Sequence, residues 1–308
     1  MVPALEEILA GTKNMVFFGG AGVSTESGIP DFRSVDGLYH QKFKYPPETM
    51  LSHSFYERHT AEFFDFYRQK LIVHGAVPNA AHRRLAALER EGKCKAVVTQ
   101  NIDGLHQAAG SRVVYELHGS TLRNYCTRCG KFFPVQFIEA AAGVGDGVPR
   151  CDACGGIVKP DVVLYEEGLD SYTINKSVDY ISKADILIIG GGAVDDSLEA
   201  EMSALPTAVY STYGMTETLS HIALRRLNGE TASKHYYPFP SVEVSLSAES
   251  TLVIKAPLIW GEFLQTNDIA CLYPDGSFTI AGRKDNVINS GGIKIQAEEM
   301  EKRLRPFI

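Results

Sequence analysis

Four of the six cysteines stand in two C-x-x-C pairs, Cys126 with Cys129 and Cys151 with Cys154. Four thiolates in two such pairs suit a closed tetrahedral zinc site, although the 21 residues between the pairs slightly exceed the commonest zinc spacings. Unligated thiols and disulfides are the alternatives, and metal is favoured over a disulfide where no export signal is expected. Because all four ligands would be protein thiolates, this zinc would be structural rather than catalytic.

A glycine-rich turn, GGAGVSTESGIPDFRS (19–34), follows the apolar run NMVFF. Small residues after a buried strand let the backbone approach a phosphate, and the N-terminus of a following helix would supply amide donors. Such a turn is a weak signal alone, because many are merely tight connections. The tail PDFRS adds an aromatic ring and an arginine that could cover a nucleotide.

Polar side chains follow two further apolar runs. In TQNIDGLH (99–106), Gln100, Asn101 and Asp103 suit ribose hydroxyls, and loop capping is the alternative use of Asn and Asp. His118, in ELHGS, ends a predicted strand. A lone histidine there is usually structural, but its unperturbed pKa lies near neutrality, which makes it a candidate general base.

Strand and helix patterns alternate around these groups. NMVFFGG, KAVVTQ, RVVYELHG, IVKPDVVLY and DILIIGG read as strands, and PNAAHRRLAALEREG (78–92) and SYTINKSVDYISKA as helices. This order predicts an α/β domain with a parallel sheet, interrupted by an insert over residues 122–158 that holds the paired cysteines. Aromatic residues at helical spacing over 54–72 predict another helix.

Composition excludes some classes of function. The net charge of -7 argues against a nucleic-acid-binding face, and no apolar run approaches the ~20 residues of a membrane helix. The start MVPALEEILAG lacks the basic flank and apolar core of a signal peptide, so we expect a cytoplasmic protein without membrane or nucleic-acid partners.

Over residues 14–191 these motifs together resemble the sirtuins, the NAD-dependent protein deacylases. The resemblance rests on GAGVSTESGIPDFRS, TQNIDGLH, HG, the two C-x-x-C pairs and KPDVVLY, which occur in family order. It implies a Rossmann-like domain and a small zinc domain, with an acylated lysine of a protein or peptide threaded between them.

The resemblance also implies roles for individual residues. His118 would be the general base, and Val163 would line the acyl-lysine tunnel and pair with the substrate backbone. The products would be free lysine, nicotinamide and O-acyl-ADP-ribose. The residues that would bind NAD are Gly20, Ala21, Gly22, Thr25, Phe32, Arg33, Gln100, Asn101, Ile102 and Asp103.

Two positions depart from the family pattern. Gly19 stands where many members have threonine, and Glu166 stands where the usual pattern has glycine after an aromatic residue. The glutamate is expected to alter the rim of the substrate cleft. Apart from Tyr125 and Arg128 around the first cysteine pair, there is no Tyr-x-x-Arg pair of the kind that recognises acidic acyl groups, so an acetyl or other apolar acyl group is favoured.

From about residue 190 the sequence resembles another family, the adenylate-forming acyl-CoA ligases of the o-succinylbenzoate type. The motifs are YGMTET (213–218), TND (266–268) and GRKDNVINSGGIKI (282–295). The Ser/Thr/Gly-rich phosphate loop that precedes YGMTET in that family is not found, so ligase activity is disfavoured. By this resemblance the adenylate-type residues would be Thr216, Glu217, Asp268 and Arg283.

The stretch ADILIIGGGAVDDSLEAEM (184–202) is then a join between two families. We expect a sirtuin-type domain over 1–191 and a partial, β-rich adenylate-forming segment over 192–308. After the join, residues 195–204 read as a helix and TAVYS (207–211) as a strand. If they complete the sheet by a right-handed crossover, Ala208–Tyr210 should pair in parallel with Ile186–Ile189.

The sequence therefore predicts an NAD-dependent protein deacetylase with structural zinc, whose exchanged last third is expected to impair its activity. Two alternatives from other classes stay open. One is a non-catalytic chimera that binds NAD and zinc, and the other is a remnant acyl-CoA ligase.

Overall fold

The computed structural model describes residues 9–30, 43–191, 196–215, 220–256, 263–284, 287–290 and 293–296. The chain divides into two compact units, one of Lys13–Ala184 and one of Asp185–Ile308 with Met1–Thr12. Some sequence predictions fall outside the described residues: the roles of Phe32, Arg33, Thr216 and Glu217.

The first unit contains the predicted parallel strands β1 (Met15–Gly19), β2 (Cys94–Thr99) and β3 (Val114–Glu116) in the order β1-β2-β3. Gly19 pairs with Thr99, and Thr99 pairs with Glu116, so the three carboxyl ends lie level with one another. The segments that leave these strands, starting at Gly20, Gln100 and Leu117, therefore begin at one edge of the sheet, where ligands bind in open α/β folds.

The helices of this unit begin and end close to the predicted positions, with one difference. The aromatic stretch predicted as a single helix forms two, because His59 leaves helical geometry at φ -130° and ψ 45°. The PNAAH helix begins after Asn79, whose side chain accepts from Ala81 N and His82 N. The helices are α1 (Pro47–Met50), α2 (His53–Arg58), α3 (Thr60–Lys70), α4 (Ala80–Arg90), α5 (Leu105–Ala108), α6 (Val135–Ala140) and α7 (Ser171–Ser182).

The insert folds as a small antiparallel sheet with strand order β5-β4-β6. Its strands are β4 (Gly119–Cys126), β5 (Phe132–Pro134) and β6 (Val158–Val162). Phe133 and Ile138 of the insert share one buried cluster with Phe63, Phe64 and Tyr67 of α3. The insert therefore packs on the aromatic face of α3, which explains why that helix is so rich in aromatic residues.

In the second unit, β7 (Ile186–Gly190) and β8 (Ala208–Met215) are parallel and are joined through helix α8 (Asp196–Ser203). Ile186 pairs with Ala208 and Ile188 with Tyr210, which confirms the predicted pairing. The Asn228 amide donates to Leu205 O and Thr207 O and accepts from Val209 N, so one side chain holds the connection in place. Strands β9 (Ser220–Arg226) and β10 (Tyr237–Pro238) extend this sheet antiparallel to β8.

A four-stranded antiparallel sheet follows in the order β11-β12-β13-β14. A tight turn lies at Asp275 and Gly276, where Asp275 Oδ1 accepts from Ser277 N and Gly276 has φ 80°. None of the described helices is long and apolar enough to cross a membrane. The remaining strands are β11 (Glu243–Leu246), β12 (Thr251–Lys255), β13 (Phe263–Leu272), β14 (Phe278–Arg283), β15 (Val287–Ser290) and β16 (Ile293–Gln296).

Candidate active site and metal centre

The four paired cysteines come together at one end of the insert, with all four Sγ atoms within 4.8 Å of one another. Cys126 Sγ lies 3.4 Å from Cys154 Sγ, and Cys129 Sγ lies 3.7 Å from Cys151 Sγ. Four zinc–sulfur bonds of about 2.3 Å in a tetrahedron would place the sulfur atoms about 3.8 Å apart. The thiols are free rather than disulfide-bonded, and their spacing fits one zinc ion.

Both C-x-x-C pairs use the same backbone turn. Gly130 N donates to Cys126 O, and Gly155 N donates to Cys151 O, at 3.0 and 2.8 Å. The two glycines have φ 71° and 73°, a conformation that disfavours side chains. The sequence C-x-x-C-G therefore folds into two matching loops, each of which presents two sulfur atoms on one side.

The surroundings of the thiols leave room for an ion and for little else. A Cβ atom on Gly156 would lie 2.9 Å from Cys126 Sγ and 2.8 Å from Arg128 Cβ, so a larger residue would displace a ligand. Arg128 N and Cys129 N both point at Cys126 Sγ, at 3.4 and 3.5 Å, and such N–H groups favour thiolate character. The donor set thus fits a structural zinc with no open position.

The glycine-rich turn after β1 differs from the predicted strand–turn–helix arrangement. Residues 21–27 form two 3-10 turns, Ala21–Val23 and Thr25–Ser27, and the second ends at Gly28 with φ 82°. Ser24, between the turns, points inward and is 1% exposed. Burying a polar side chain at this point requires hydrogen-bond partners inside the protein, which the tight turns bring within reach.

Ser24 is the centre of a buried polar network that links the two predicted cofactor loops. Its Oγ accepts from Asn101 Nδ2 at 2.9 Å and donates to Asp103 Oδ2 at 2.6 Å. The other carboxylate oxygen, Asp103 Oδ1, accepts from Leu105 N. These hydrogen bonds therefore hold Asn101 and Asp103 in one orientation. Any hydrogen-bonding capacity of the two side chains that the network does not use is available to a ligand.

Sequence reasoning missed Ser24 as a site residue, and it also missed His82. His82 is fully buried at the start of α4, with Nε2 3.5 Å from Ser24 Oγ. Its Nδ1 lies 2.9 Å from Asn79 Oδ1 and 3.3 Å from Asn79 N, so the start of the helix holds the ring with Nε2 facing the serine. The Asn79-x-x-His82 spacing resembles a capping box and could have indicated the first contact, but not the second.

His106, predicted only as part of the TQNIDGLH motif, lies against His82 with ring centroids 4.6 Å apart. It is 1% exposed, and burial lowers its pKa to about 3. Burial also lowers the pKa of His82. Both rings are neutral at neutral pH and act as packed, uncharged support for the network.

His118 lies between β3 and β4, at the same sheet edge as Gln100. Its Nδ1 is 3.0 Å from Gln100 O, and because a carbonyl can only accept, Nδ1 carries the proton. The Nε2 lone pair is then free to take a proton from a substrate. Burial lowers the pKa of His118, despite the opposing effect of the Gln100 hydrogen bond, so the neutral form is favoured.

The other loop residues that the structure describes are joined to the same region. Gln100 N donates to Gly19 O, which joins the first two loops, and Thr25 Oγ1 donates to Gly22 O. Gly19 has no room for a side chain, since its Cβ would lie 2.8 Å from Phe17 Cε1. The threonine that many family members have here would therefore require the Phe17 ring to shift.

Val163 follows β6 and faces the loop of the candidate base, since Val163 N donates to His118 O at 3.0 Å. Val163 also lines a cleft of 270 Å³ together with Lys159, Asp161 and Glu167. We call residues 163–167 the substrate segment. It connects the insert to the loop of His118 within the first unit.

In the second unit, two of the four adenylate-type residues are described. Asp268 and Arg283 face each other in the register of β13 and β14, and Tyr213 OH donates to Asp268 Oδ2. Burial, followed by the Asp268 charge, raises the pKa of Tyr213. Residues from YGMTET, TND and the GRK motif are thus brought together.

Comparison with known proteins gives a consistent family. The family model described as Sir2 matches residues 20–195, more than half of the chain. The NAD-dependent protein deacetylase of Clostridium acetobutylicum is 61% identical over 189 residues, which cover 61% of this chain and 76% of the relative. That of Fusobacterium nucleatum subsp. nucleatum is 42% identical over 211 residues, covering 68% of this chain and 75% of the relative.

Solved structures show the same likeness. A Sir2 structure with p53 peptide and NAD+ matches with a TM-score of 0.57 and 34% identity, covering 68% of this chain and 86% of that one. A Sir2 structure bound to acetylated peptide matches with a TM-score of 0.55 and 34% identity, covering 64% and 79%. The fold, the cysteine cluster and these matches agree, and the chain belongs to the Sir2 family.

Proposed function

We propose that the protein is an NAD-dependent protein lysine deacetylase. The observation that carries this proposal is the orientation of His118: its Nδ1–H donates to Gln100 O, which leaves Nε2 as an unprotonated base. The base stands at the sheet edge that also carries Asn101 and Asp103. The family membership and the names of the relatives support the same reaction.

NAD would supply the ribose carbon that takes the acetyl oxygen of the lysine amide as nicotinamide leaves. One water molecule would be consumed in releasing the free lysine, and the acetyl group would end on ADP-ribose. His118 Nε2 would accept the proton of a ribose hydroxyl, since burial keeps the ring neutral. Asn101 and Asp103, held by Ser24, would orient the nicotinamide ribose. Val163 would pair with the peptide that carries the acetylated lysine.

The loop residues are assigned by the same proposal. Gly20, Ala21 and Gly22 would bring backbone close to the phosphates, and Thr25, Phe32 and Arg33 would complete the ribose side of the pocket. Gln100 and Ile102 would contact the nicotinamide end. We further assign the protein to the cytoplasm, because four free zinc-ligating thiols suit a reducing compartment.

The test is nicotinamide release from NAD in the presence of an acetyl-lysine peptide. Wild-type protein should release nicotinamide and deacetylated peptide in equal amounts. His118→Ala should lose about 10²-fold or more in deacetylation, the usual contribution of a general base, while NAD binding measured by calorimetry persists. NAD binding without turnover by the wild type would contradict the proposal and favour a non-catalytic binding protein.

We also infer that residues 192–308 derive from an adenylate-forming ligase and that the sirtuin-type part spans 1–191. The contact of Tyr213 with Asp268, and the pairing of Asp268 with Arg283, support this origin. These groups would suit the ribose hydroxyls of an adenosine nucleotide. We therefore expect weak AMP binding without acyl-adenylate formation, measured by calorimetry with Asp268→Ala as control.

A further inference from the structure

Glu166, in the substrate segment, adopts a backbone conformation that favours glycine. Its φ is 75°, in the left-handed region, where a Cβ atom crowds the following carbonyl group. The family resemblance places glycine at this position. The chain thus keeps the conformation of glycine but carries a glutamate, and the contacts of that side chain supply the reason.

The Glu166 carboxylate binds both polar groups of Ser54 near the start of α2. Oε2 accepts from Ser54 N at 2.9 Å, and Oε1 accepts from Ser54 Oγ at 3.0 Å. The first N–H groups of a helix have no partner within the helix, and a carboxylate is favoured beside them. These two hydrogen bonds offset the backbone strain at Glu166.

The residues on either side of Glu166 are attached to the same place. Tyr165 N donates to Leu51 O at 3.0 Å, and His53 N donates to Tyr165 O at 2.9 Å. Glu167 Oε1 lies 2.8 Å from His53 Nδ1. Three consecutive residues of the substrate segment therefore bind residues 51–54, and Glu166 is the central one.

We propose that Glu166 is a positioning residue that holds the substrate segment ready to receive an acetylated peptide. The inference rests on the proposed function, in which Val163 pairs with the peptide backbone. A peptide that adds as a strand loses affinity when the receiving strand must first be ordered. Glu166 has no hydrogen bond or ion pair with the described cofactor residues, so its effect should fall on the peptide and not on NAD.

Three substitutions separate the hydrogen bonds from the strain. Glu166→Ala removes both hydrogen bonds and keeps the strained φ, and it should raise the peptide KM about fivefold, the loss of one or two hydrogen bonds. Glu166→Gly also relieves the backbone strain at φ 75° and should therefore raise the peptide KM less than Glu166→Ala does. Glu166→Gln keeps an acceptor for Ser54 N and should restore most of the wild-type value. The NAD KM should stay unchanged in all three.

The matched control is Glu62→Ala, which removes an exposed carboxylate of α3 that binds Lys44 rather than the substrate segment. It should leave both KM values unchanged. Ser54→Ala removes the hydrogen bond from Oγ but keeps the one from Ser54 N, so it should raise the peptide KM less than Glu166→Ala does. The double variant should be no worse than Glu166→Ala alone, because Glu166→Ala already removes both hydrogen bonds.

Amide hydrogen exchange gives a readout that does not depend on turnover. In the full chain without ligand, Glu166→Ala should speed exchange in residues 163–167 and leave that in β1 and β2 unchanged. Unchanged exchange in the substrate segment, or an equal rise of the NAD and peptide KM values, would overturn the inference. If wild-type protein deacetylates no peptide, the proposed function fails, and exchange alone then decides whether Glu166 orders the segment.

Discussion

The zinc centre and the cofactor pocket of the first unit are built in opposite ways. The zinc ligands lie three residues apart in two loops with the same hydrogen bond, from Gly130 to Cys126 and from Gly155 to Cys151. The pocket instead joins Ser24 to Asn101 and Asp103, which are 77 and 79 positions away. The zinc centre is thus built from local sequence, whereas this part of the pocket forms only when β1 and β2 are in register.

The two regions also differ in what holds their side chains together: a metal ion in one and hydrogen bonds in the other. The sulfur atoms of the zinc centre face one another, so the insert depends on an ion to hold them together. The pocket residues satisfy one another: Ser24 donates to Asp103 and accepts from Asn101. Loss of a zinc ligand should therefore unfold structure, whereas loss of a pocket hydrogen bond should weaken ligand binding in a folded protein.

The largest expected effect follows from breaking the zinc centre. Cys151→Ser leaves three thiolates, so the protein should lose its bound zinc and several kcal/mol of folding free energy. This corresponds to a fall in Tm of about 10 °C or more for a domain of this size. Zinc content by atomic absorption and Tm by calorimetry measure the two effects.

The control for this variant is Cys271→Ser, which removes an exposed thiol of the second unit. Its zinc content and Tm should match the wild type. A Cys151→Ser protein that still bound one equivalent of zinc would show that the cysteine cluster is not the metal centre.

The next effect concerns pH and His118. Burial lowers the pKa of His118 from its ordinary value of 6.5, so the base stays neutral as the pH falls to 6.5 and becomes protonated only below it. The rate, as kcat/KM for the peptide, should therefore hold through pH 6.5 and decline at lower pH. An acidic limb centred above pH 7 would contradict a buried, neutral base.

The zinc ligands could be predicted from the sequence because they are local. Four thiols at C-x-x-C spacing have few other uses, and the glycine after each pair marks the turn. The edge of the sheet was also predictable, since buried strands that end in glycine or in polar residues place those ends together. The pairing of Ala208 with Ile186 followed from the same strand–helix–strand pattern.

The pocket interior was not predictable, because its contacts are non-local. Nothing in the spacing of Ser24 and His82, which are 58 positions apart, indicates that they meet. The same applies to the turn after β1, where burial of the Ser24 side chain favours two 3-10 turns over the expected helix. Glu166 was visible as an unusual residue, but its partner Ser54 is 112 positions away.

A smaller effect should follow from His82. His82→Leu removes the ring nitrogen that faces Ser24 while keeping a buried apolar side chain, so Asn101 and Asp103 lose part of their support. The NAD KM should rise about three- to tenfold, the effect of one hydrogen bond in a buried network, with the peptide KM unchanged. His82→Gln, which keeps a polar group that can face Ser24, should recover part of the affinity.

Leu85→Ala is the matched control, because Leu85 is buried one turn further along α4 without a polar partner. It should lower Tm through the cavity it creates but leave the NAD KM unchanged. If His82→Leu and Leu85→Ala changed Tm and the NAD KM in parallel, His82 would be a structural residue only. It would then belong to the supporting core of the domain and not to the cofactor pocket.

The smallest effect tests whether charge also ties the two zinc loops together. Lys131 Nζ lies 2.6 Å from Asp152 Oδ1, and the two residues directly follow Gly130 and Cys151. Both side chains are exposed, and exposed ion pairs contribute little because water screens them. Lys131→Met should therefore change zinc affinity, measured by chelator competition, by less than about threefold. A tenfold or larger loss of zinc affinity would mean that the two loops depend on this ion pair as well as on the metal. Side chains of the zinc centre would then stabilise one another directly, as Ser24, Asn101 and Asp103 do in the pocket.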